Sequence, residues 1–325
     1  PNANMSDYWM YHSDLIDVKF NGEKVFLSGD SGFYFPRKLN LTNRLKKFAR
    51  LFPIQISYYI FKAYRKILPT LIDSLCTYPI AYENVWNQKP DIKISPSSQR
   101  LVLKDLKNKI LNFRTVNGMK EKWAASKTQI LSEETIKHYF HLQVAEGVMQ
   151  NLTGSTVCEI GSGTGNLASL FYYHFKTKLF LVDLPKTLLL SYSYLSQTFP
   201  DAKILLPNEV ESGNFALDEY DIVMLTPEQT SIIPDGIVDL TVNIGSMQEM
   251  TKESIDSYFD MMDRITKSKG YFFTSNRVEK MMSGNPIRFS EYPWRAHTRT
   301  IFFEINPLIR LVQLDPLFVR MEQYQ

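Results

Sequence analysis

An α/β fold, a mainly parallel sheet covered by helices on both faces, is what the second half of this 325-residue sequence predicts. Three observations carry that expectation. From Thr156 onward, short apolar runs alternate with helical patterns, as strands do when helices cross between them. The first run, V-C-E-I, passes directly into a glycine-rich turn, G-S-G-T-G-N. The second, Lys178 to Val182, ends on an acid, Asp183.

Taken in order, strands are expected at 156–160, 178–183, 203–207, 221–225, 238–244 and 269–275. Helices are expected at about 165–175, 186–198 and 251–267, the last capped by Thr251 with Ser254 behind it. Apolar segments at 300–305 and 317–321 can close the sheet with an antiparallel edge. Ligands of such sheets bind beyond the carboxyl ends of the strands. That rule gathers Gly161, Asp183, Thr226, Gly245 and Asn276 around one crevice.

The first 130 residues read differently. V-K-F and K-V-F-L flank Asn21-Gly22, a hairpin signal. Residues 39–75 and 99–113 carry apolar positions at helical spacing, and 87–98 is a polar, proline-containing linker. A helix is expected from Ser132 and Glu134 to about Met149. Two regions follow: 1–130, mainly helical and basic, for substrate, cap or partner binding, and 131–325, the ligand-binding α/β domain.

Composition bounds the class. Hydrophobic residues at 44% and charged residues at 22% suit a globular chain with a sizeable core. Two cysteines, Cys76 and Cys158, imply no disulfide framework, and a reducing cytoplasm is the simplest home. No basic start followed by an apolar run marks a signal peptide, and no apolar run of ~18 residues marks a membrane span. The first residue is Pro1, as in a fragment. The net charge of +3 conceals a split: Arg37 to Lys127 holds 19 lysines and arginines against 5 acids, an excess of 14 that leaves −11 elsewhere. The basic part suits an anionic partner, or a solvated helical surface packed on the acidic half. The basic, amphipathic run R-L-K-K-F-A-R-L-F could rest on an anionic membrane, although a packed helix explains it as well.

The glycine-rich turn follows the pattern E-x-G-x-G-x-G, with Glu159 before Gly161, Gly163 and Gly165. Glycines there allow a tight turn and close approach to bare backbone, and the next helix offers free N–H groups. Asp183 lies 18 residues beyond Gly165, one helix and one strand away, where an acid accepts hydrogen bonds from ribose hydroxyls. Glu159 would repel a pyrophosphate and attract an amino group. That acid, and a turn that is not G-x-G-x-x-G, favour S-adenosyl-L-methionine over a dinucleotide.

With V-C-E-I-G-S-G-T-G-N go L-V-D-L-P-K-T-L, V-N-I-G-S-M-Q-E-M and the N-R of Asn276-Arg277. On these residues the chain resembles the class I S-adenosylmethionine-dependent methyltransferases. More narrowly, through D-L-P and S-M-Q-E-M, it is similar to a bacterial family of sugar O-methyltransferases. The resemblance covers about residues 130–325. It implies a Rossmann-like, doubly wound, seven-stranded sheet. It also implies that Glu159, Gly161, Ser162, Gly163 and Gly165 line the methionine end of the cofactor. Asp183 then holds the ribose, with Leu184 beside the adenine and Thr226 to Gln229 at its edge. Asn243 to Glu249, with Gly245 and Gln248 among them, lie beneath the sulfonium and face the acceptor.

Methylating a hydroxyl requires alignment and removal of one proton. Glu249, after the 238–244 strand, is the first candidate base, with a helix N-terminal acid as the alternative role. His297, in E-Y-P-W-R-A-H-T-R, is a second candidate, because imidazole titrates near neutrality. Its neighbours Tyr292 and Trp294 offer sugar-stacking faces and Arg295 an anion partner. His141 is a third candidate, as a base or a cofactor neighbour; with His138 it makes no recognisable metal motif, so no metal is expected. Asn276 would orient the acceptor. The expected partner is a sugar or glycan, free, nucleotide-linked or lipid-linked, rather than a nucleic acid. A peripheral membrane contact and a homo-oligomer stay open. The rival readings are an RNA methyltransferase gripping through the basic region and a non-catalytic cofactor-binding scaffold in a glycan-assembly complex.

Overall fold

A computed structural model describes residues 16–21, 24–29, 133–282, 285–306 and 317–325. The helical patterns at 39–75 and 99–113, the linker at 87–98 and the basic segment 37–127 lie outside the described residues, as does nearly all of the region 1–130.

Strands β1 (Ile16–Asn21) and β2 (Lys24–Gly29) pair antiparallel with Asn21 opposite Lys24, the hairpin that Asn21-Gly22 announces. Helix α1 (Glu133–Met149) leads into β3 (Thr156–Ile160), α2 (Asn166–Phe175), β4 (Lys178–Val182) and α3 (Pro185–Thr198). Next come β5 (Ile204–Leu205), α4 (Pro207–Ser212), β6 (Ile222–Leu225), β7 (Val238–Ile244) and α5 (Lys252–Ile265). The chain continues through β8 (Thr266–Arg277), β9 (Glu279–Met282), β10 (Asn285–Arg288), β11 (Thr298–Ile305) and β12 (Leu317–Tyr324).

Eight strands form one sheet in the order β11-β12-β8-β7-β3-β4-β6-β5. The strands from β5 to β8 run parallel, and β12 lies antiparallel between β8 and β11. This is a Rossmann-like sheet of eight strands where seven are implied by resemblance. The additional strand is β5, only two residues long. The run 203–207 reads as a full strand, but Pro207 has no N–H for a ladder and instead opens α4. Glu209 accepts the Leu206 N–H at 2.8 Å and fixes that turn. β9 and β10 form a separate antiparallel hairpin that the sequence does not announce.

Successive strand residues feed two cores. Cys158, Ile160, Phe180 and Val182 face α5 through Ile255, Phe259 and Met262. Val157, Leu179 and Leu181 face α1, α2 and α3 through Leu142, Leu167, Phe171 and Leu188. Near-continuous apolar runs are what a sheet buried on both faces requires, and each such side chain contributes about 1.5–3 kcal/mol. Thr251 caps α5 by accepting the Ser254 N–H at 3.2 Å.

Candidate active site

The strand order reverses at β3, which has β4 on one side and β7 on the other. The crevice beyond its carboxyl end is the position where doubly wound sheets bind ligands. The turn after β3 is left-handed at all three glycines, with φ of 75° at Gly161, 57° at Gly163 and 75° at Gly165. Their roles differ. A Cβ on Gly161 would lie 2.1 Å from Ser246 Oγ, and one on Gly165 would lie 3.1 Å from Leu195. A Cβ on Gly163 would meet nothing within 4 Å. Only Gly163 therefore leaves bare backbone facing open space; the other two are bare because the protein itself packs there.

Glu159 is buried at the end of β3, and one carboxylate oxygen has no hydrogen-bond partner. Burial, reinforced by the charge of Asp183, holds its carboxyl well above the ordinary 4.5, and the Ala168 N–H at the start of α2 partly offsets this. The helix N-terminus that sequence offers to an external anion is thus engaged by the chain's own acid. Ser162 is also buried, with its hydroxyl unpartnered. Asp183 accepts the Gly163 N–H and the Leu184 N–H, each at 2.7 Å. Burial pushes its carboxyl up to about 6 against these bonds and one from Thr187. Leu184 immediately precedes Pro185 at the start of α3. Thr226 starts a turn in which Gln229 accepts its N–H at 3.0 Å and donates to Pro207 O at 2.9 Å.

Beyond β7 the residues lock onto one another. Asn243 and Asn276 are fully buried, and Asn276 donates to Asn243 Oδ1 at 2.7 Å. Gly245 has φ 76° and donates to Ser275 O at 2.9 Å. Gln248 accepts the Arg277 N–H at 2.7 Å. Asn243 and Asn276 thus serve the framework in this structure, because their amides are spent on each other and on backbone. Glu249 is buried in an ion pair with Lys280 of β9. The hydroxyl of buried Tyr292 lacks a hydrogen-bond partner, and burial and the Glu249 charge both push it up.

The aromatic and basic loop does not gather at the crevice as its sequence suggests. It runs down the α5 face of the sheet toward the amino-terminal strand ends. Trp294 packs on Phe259 and Phe272 and lies under the Arg320 guanidinium at 3.8 Å, so no face is left for sugar stacking. Arg295 is ion-paired with Asp260 and Asp263 near the end of α5. Exposed His297 lies 3.3 Å from Asp263, with its ring 5.7 Å from that of Tyr324. The physical reason is the run of α5 against the strands, which carries its last turns to the opposite end from the crevice. His141 is buried against Phe140 and Phe273 with neither ring nitrogen hydrogen-bonded. Burial holds it neutral, helped by His138 and Lys137. Among the described residues no three His, Cys, Asp or Glu side chains could hold a metal ion.

Sequence reasoning missed Lys280 and Tyr258, and gave Ser246 no role of its own within the run 243–249. Ser246 directly follows Gly245 in N-I-G-S, and only its contact with Gly161 reveals its use. Tyr258 of α5 packs against the core on that face of the sheet, and its hydroxyl is pushed up by burial and then by Asp183, Cys158 and Glu228.

Without β5, the sheet strands numbered along the chain run 3-2-1-4-5-7-6 with the seventh antiparallel. Together with the glycine turn and the two acids at its strand tips, that order is the class I methyltransferase architecture. No family model matches the sequence, and no curated protein does either. Solved structures of similar outline include a 1,6-didemethyltoxoflavin-N1-methyltransferase from Burkholderia thailandensis with bound S-adenosylhomocysteine. It is 11% identical, has a TM-score of 0.40, and the match covers 72% of this chain and 92% of that one. A geranyl diphosphate C-methyltransferase from Streptomyces coelicolor, also with S-adenosylhomocysteine, is 14% identical at a TM-score of 0.39, covering 62% and 83%. A SAM dependent methyltransferase from Aquifex aeolicus is 14% identical at 0.39, covering 57% and 89%. Scores at this level are a likeness in outline, and neither substrate nor reaction follows from them.

Proposed function

We propose that this protein is an S-adenosyl-L-methionine-dependent methyltransferase whose acceptor is a hydroxyl of a sugar or glycan. The observation that supports the cofactor is a pair of acids, buried Glu159 and half-buried Asp183, at adjacent strand tips around a turn open at Gly163. The unpartnered Glu159 oxygen suits an ammonium, and the unpartnered Ser162 hydroxyl suits a carboxylate. The Asp183 carboxylate accepts two backbone N–H groups and the Thr187 hydroxyl, which leaves one of its four lone-pair positions for a ribose hydroxyl. Leu184 and the Thr226–Gln229 turn flank the adenine position. Bound there, S-adenosylmethionine supplies a methyl group on a sulfonium, already activated for transfer.

The chain's remaining task is to align an acceptor oxygen behind that methyl and take its proton. The loop 246–250 faces the acceptor. Glu249 is its candidate proton acceptor, once the acceptor hydroxyl replaces Lys280 at the carboxylate. The sugar acceptor rests on the resemblance of D-L-P and S-M-Q-E-M. It goes with a cytoplasmic location, at the inner membrane face for a lipid-linked acceptor. Among the described residues no helix is long and apolar enough to cross a membrane.

The test is calorimetric titration of S-adenosylhomocysteine into wild type and Asp183→Ala. Micromolar binding is expected, weakened at least tenfold by the substitution, about 1.4 kcal/mol. A folded wild type that binds nothing would sink the reading. A second expectation concerns pH. Asp183 ionises at about 6 in the free protein, and the ligand's hydroxyls select the ionised form. Affinity should therefore hold at pH 7–8 and fall as pH drops through about 6. A flat profile from pH 8 to 5 would remove Asp183 from the ligand.

A further inference from the structure

The Asn243 side chain is fully buried and makes four hydrogen bonds. Its Nδ2 donates to Ile160 O at 2.9 Å and to Ser246 Oγ at 2.6 Å. Its Oδ1 accepts the Met247 N–H at 3.3 Å and Asn276 Nδ2 at 2.7 Å. Ser246 Oγ also donates to Ile160 O at 3.2 Å. Ile160 is the last residue of β3, and the glycine turn begins at the next residue. One amide thus joins the root of that turn to the root of the acceptor-facing loop. Ser246 completes the joint by filling the space a Gly161 Cβ would occupy. Asn276 extends it to β8, accepting the Gln248 N–H at 3.2 Å.

We infer that Asn243 and Ser246 are positioning residues that make the cofactor turn and the acceptor loop move as one unit. The inference rests on the proposed cofactor reading. Neither side chain needs to touch a ligand. Their work is to set the gap between the methyl donor and acceptor oxygen, where a displacement of about 1 Å can cost a hundredfold in rate. An amide suits the joint because it donates twice and accepts twice within one plane. Aspartate has the same shape but cannot donate to Ile160 O or to Ser246.

Backbone hydrogen exchange of the full chain, with and without S-adenosylhomocysteine, tests this. In wild type, ligand should protect 161–166 and also 246–250. In Ser246→Ala, which keeps the Asn243 bond to Ile160, affinity should change less than threefold. Protection of 161–166 should persist there, and protection of 246–250 should fall at least tenfold. Asn243→Asp should weaken ligand binding at least tenfold; Ser246→Ala keeps the test decisive if that variant does not fold. Wild type that binds ligand without protecting 246–250, or Ser246→Ala with that protection intact, would overturn the coupling while leaving the cofactor reading standing. Absence of ligand binding by folded wild type would overturn both.

Discussion

Replacing Glu159 with Gln is expected to stabilise the free protein near pH 8 while weakening S-adenosylhomocysteine binding at least tenfold. The two effects share one cause. Glu159 is buried with one oxygen unpartnered, so its ionised form is costly, and its carboxyl sits well above the ordinary 4.5. A group with a raised value in the folded state contributes stability that is present in full below its ordinary value. That stability is lost as pH rises through the folded value. Gln does not titrate and retains an oxygen for the Ala168 N–H. The melting temperature of Glu159→Gln should therefore exceed that of wild type at pH 8, and the gap should close toward pH 4. Trading an unpaired buried carboxylate for a neutral amide is worth roughly 1–3 kcal/mol, or several degrees in a domain of this size. The loss in binding follows because the amide presents N–H groups to the ligand's ammonium. A strand acid with only a structural role would give the reverse pattern: a lower melting temperature at every pH and unchanged binding.

Gly161→Ala and Gly163→Ala should fail in different ways, though they stand two residues apart in one turn. At Gly161 the new methyl would lie 2.1 Å from Ser246 Oγ, at a φ of 75°. The left-handed backbone alone costs about 1–2 kcal/mol, and displacing Ser246 breaks its bonds to Asn243 and Ile160. A loss of about 3 kcal/mol or more is expected, read as a fall of roughly 6–12 °C in melting temperature, with ligand binding lost too. At Gly163 nothing lies within 4 Å of the new methyl, so only the backbone cost applies, about 1–2 kcal/mol. On the proposed cofactor reading that open space is where the ligand passes the turn, so binding should drop at least tenfold in a protein that remains folded. Equal melting temperatures for the two variants would contradict the close approach of Ser246. Undiminished binding by Gly163→Ala would move the ligand away from the turn.

Much of the architecture was readable in the residues. Alternating apolar runs and helical patterns located β3, β4, β6, β7 and α5 to within a few residues, because strands buried on both faces leave no polar alternation to confuse them. The glycine turn and Asp183 were readable because chain direction alone places them: strands that run parallel must bring their carboxyl ends together. Lone candidates judged by side-chain chemistry fared otherwise. His297, Trp294 and Arg295 have the chemistry of a sugar site, but the descent of the chain along α5 takes His297 and Arg295 to Asp263 and packs Trp294 among Phe259, Phe272 and Arg320. In sequence Glu249 reads as a base or a helix N-terminal acid, and its partner Lys280 stands 31 residues away.

The sequence by itself determined the sheet, the glycine-rich turn and the acid at the second strand tip, since periodicity and local backbone demands are written in neighbouring residues. Only the tertiary structure decided which glycine faces open space, that Asn243 is spent on Ile160, Ser246, Met247 and Asn276, and that Glu249 is held by Lys280. Those facts depend on distances between segments far apart in the chain, and buried hydrogen bonds and ion pairs are settled by what packing brings within about 3 Å.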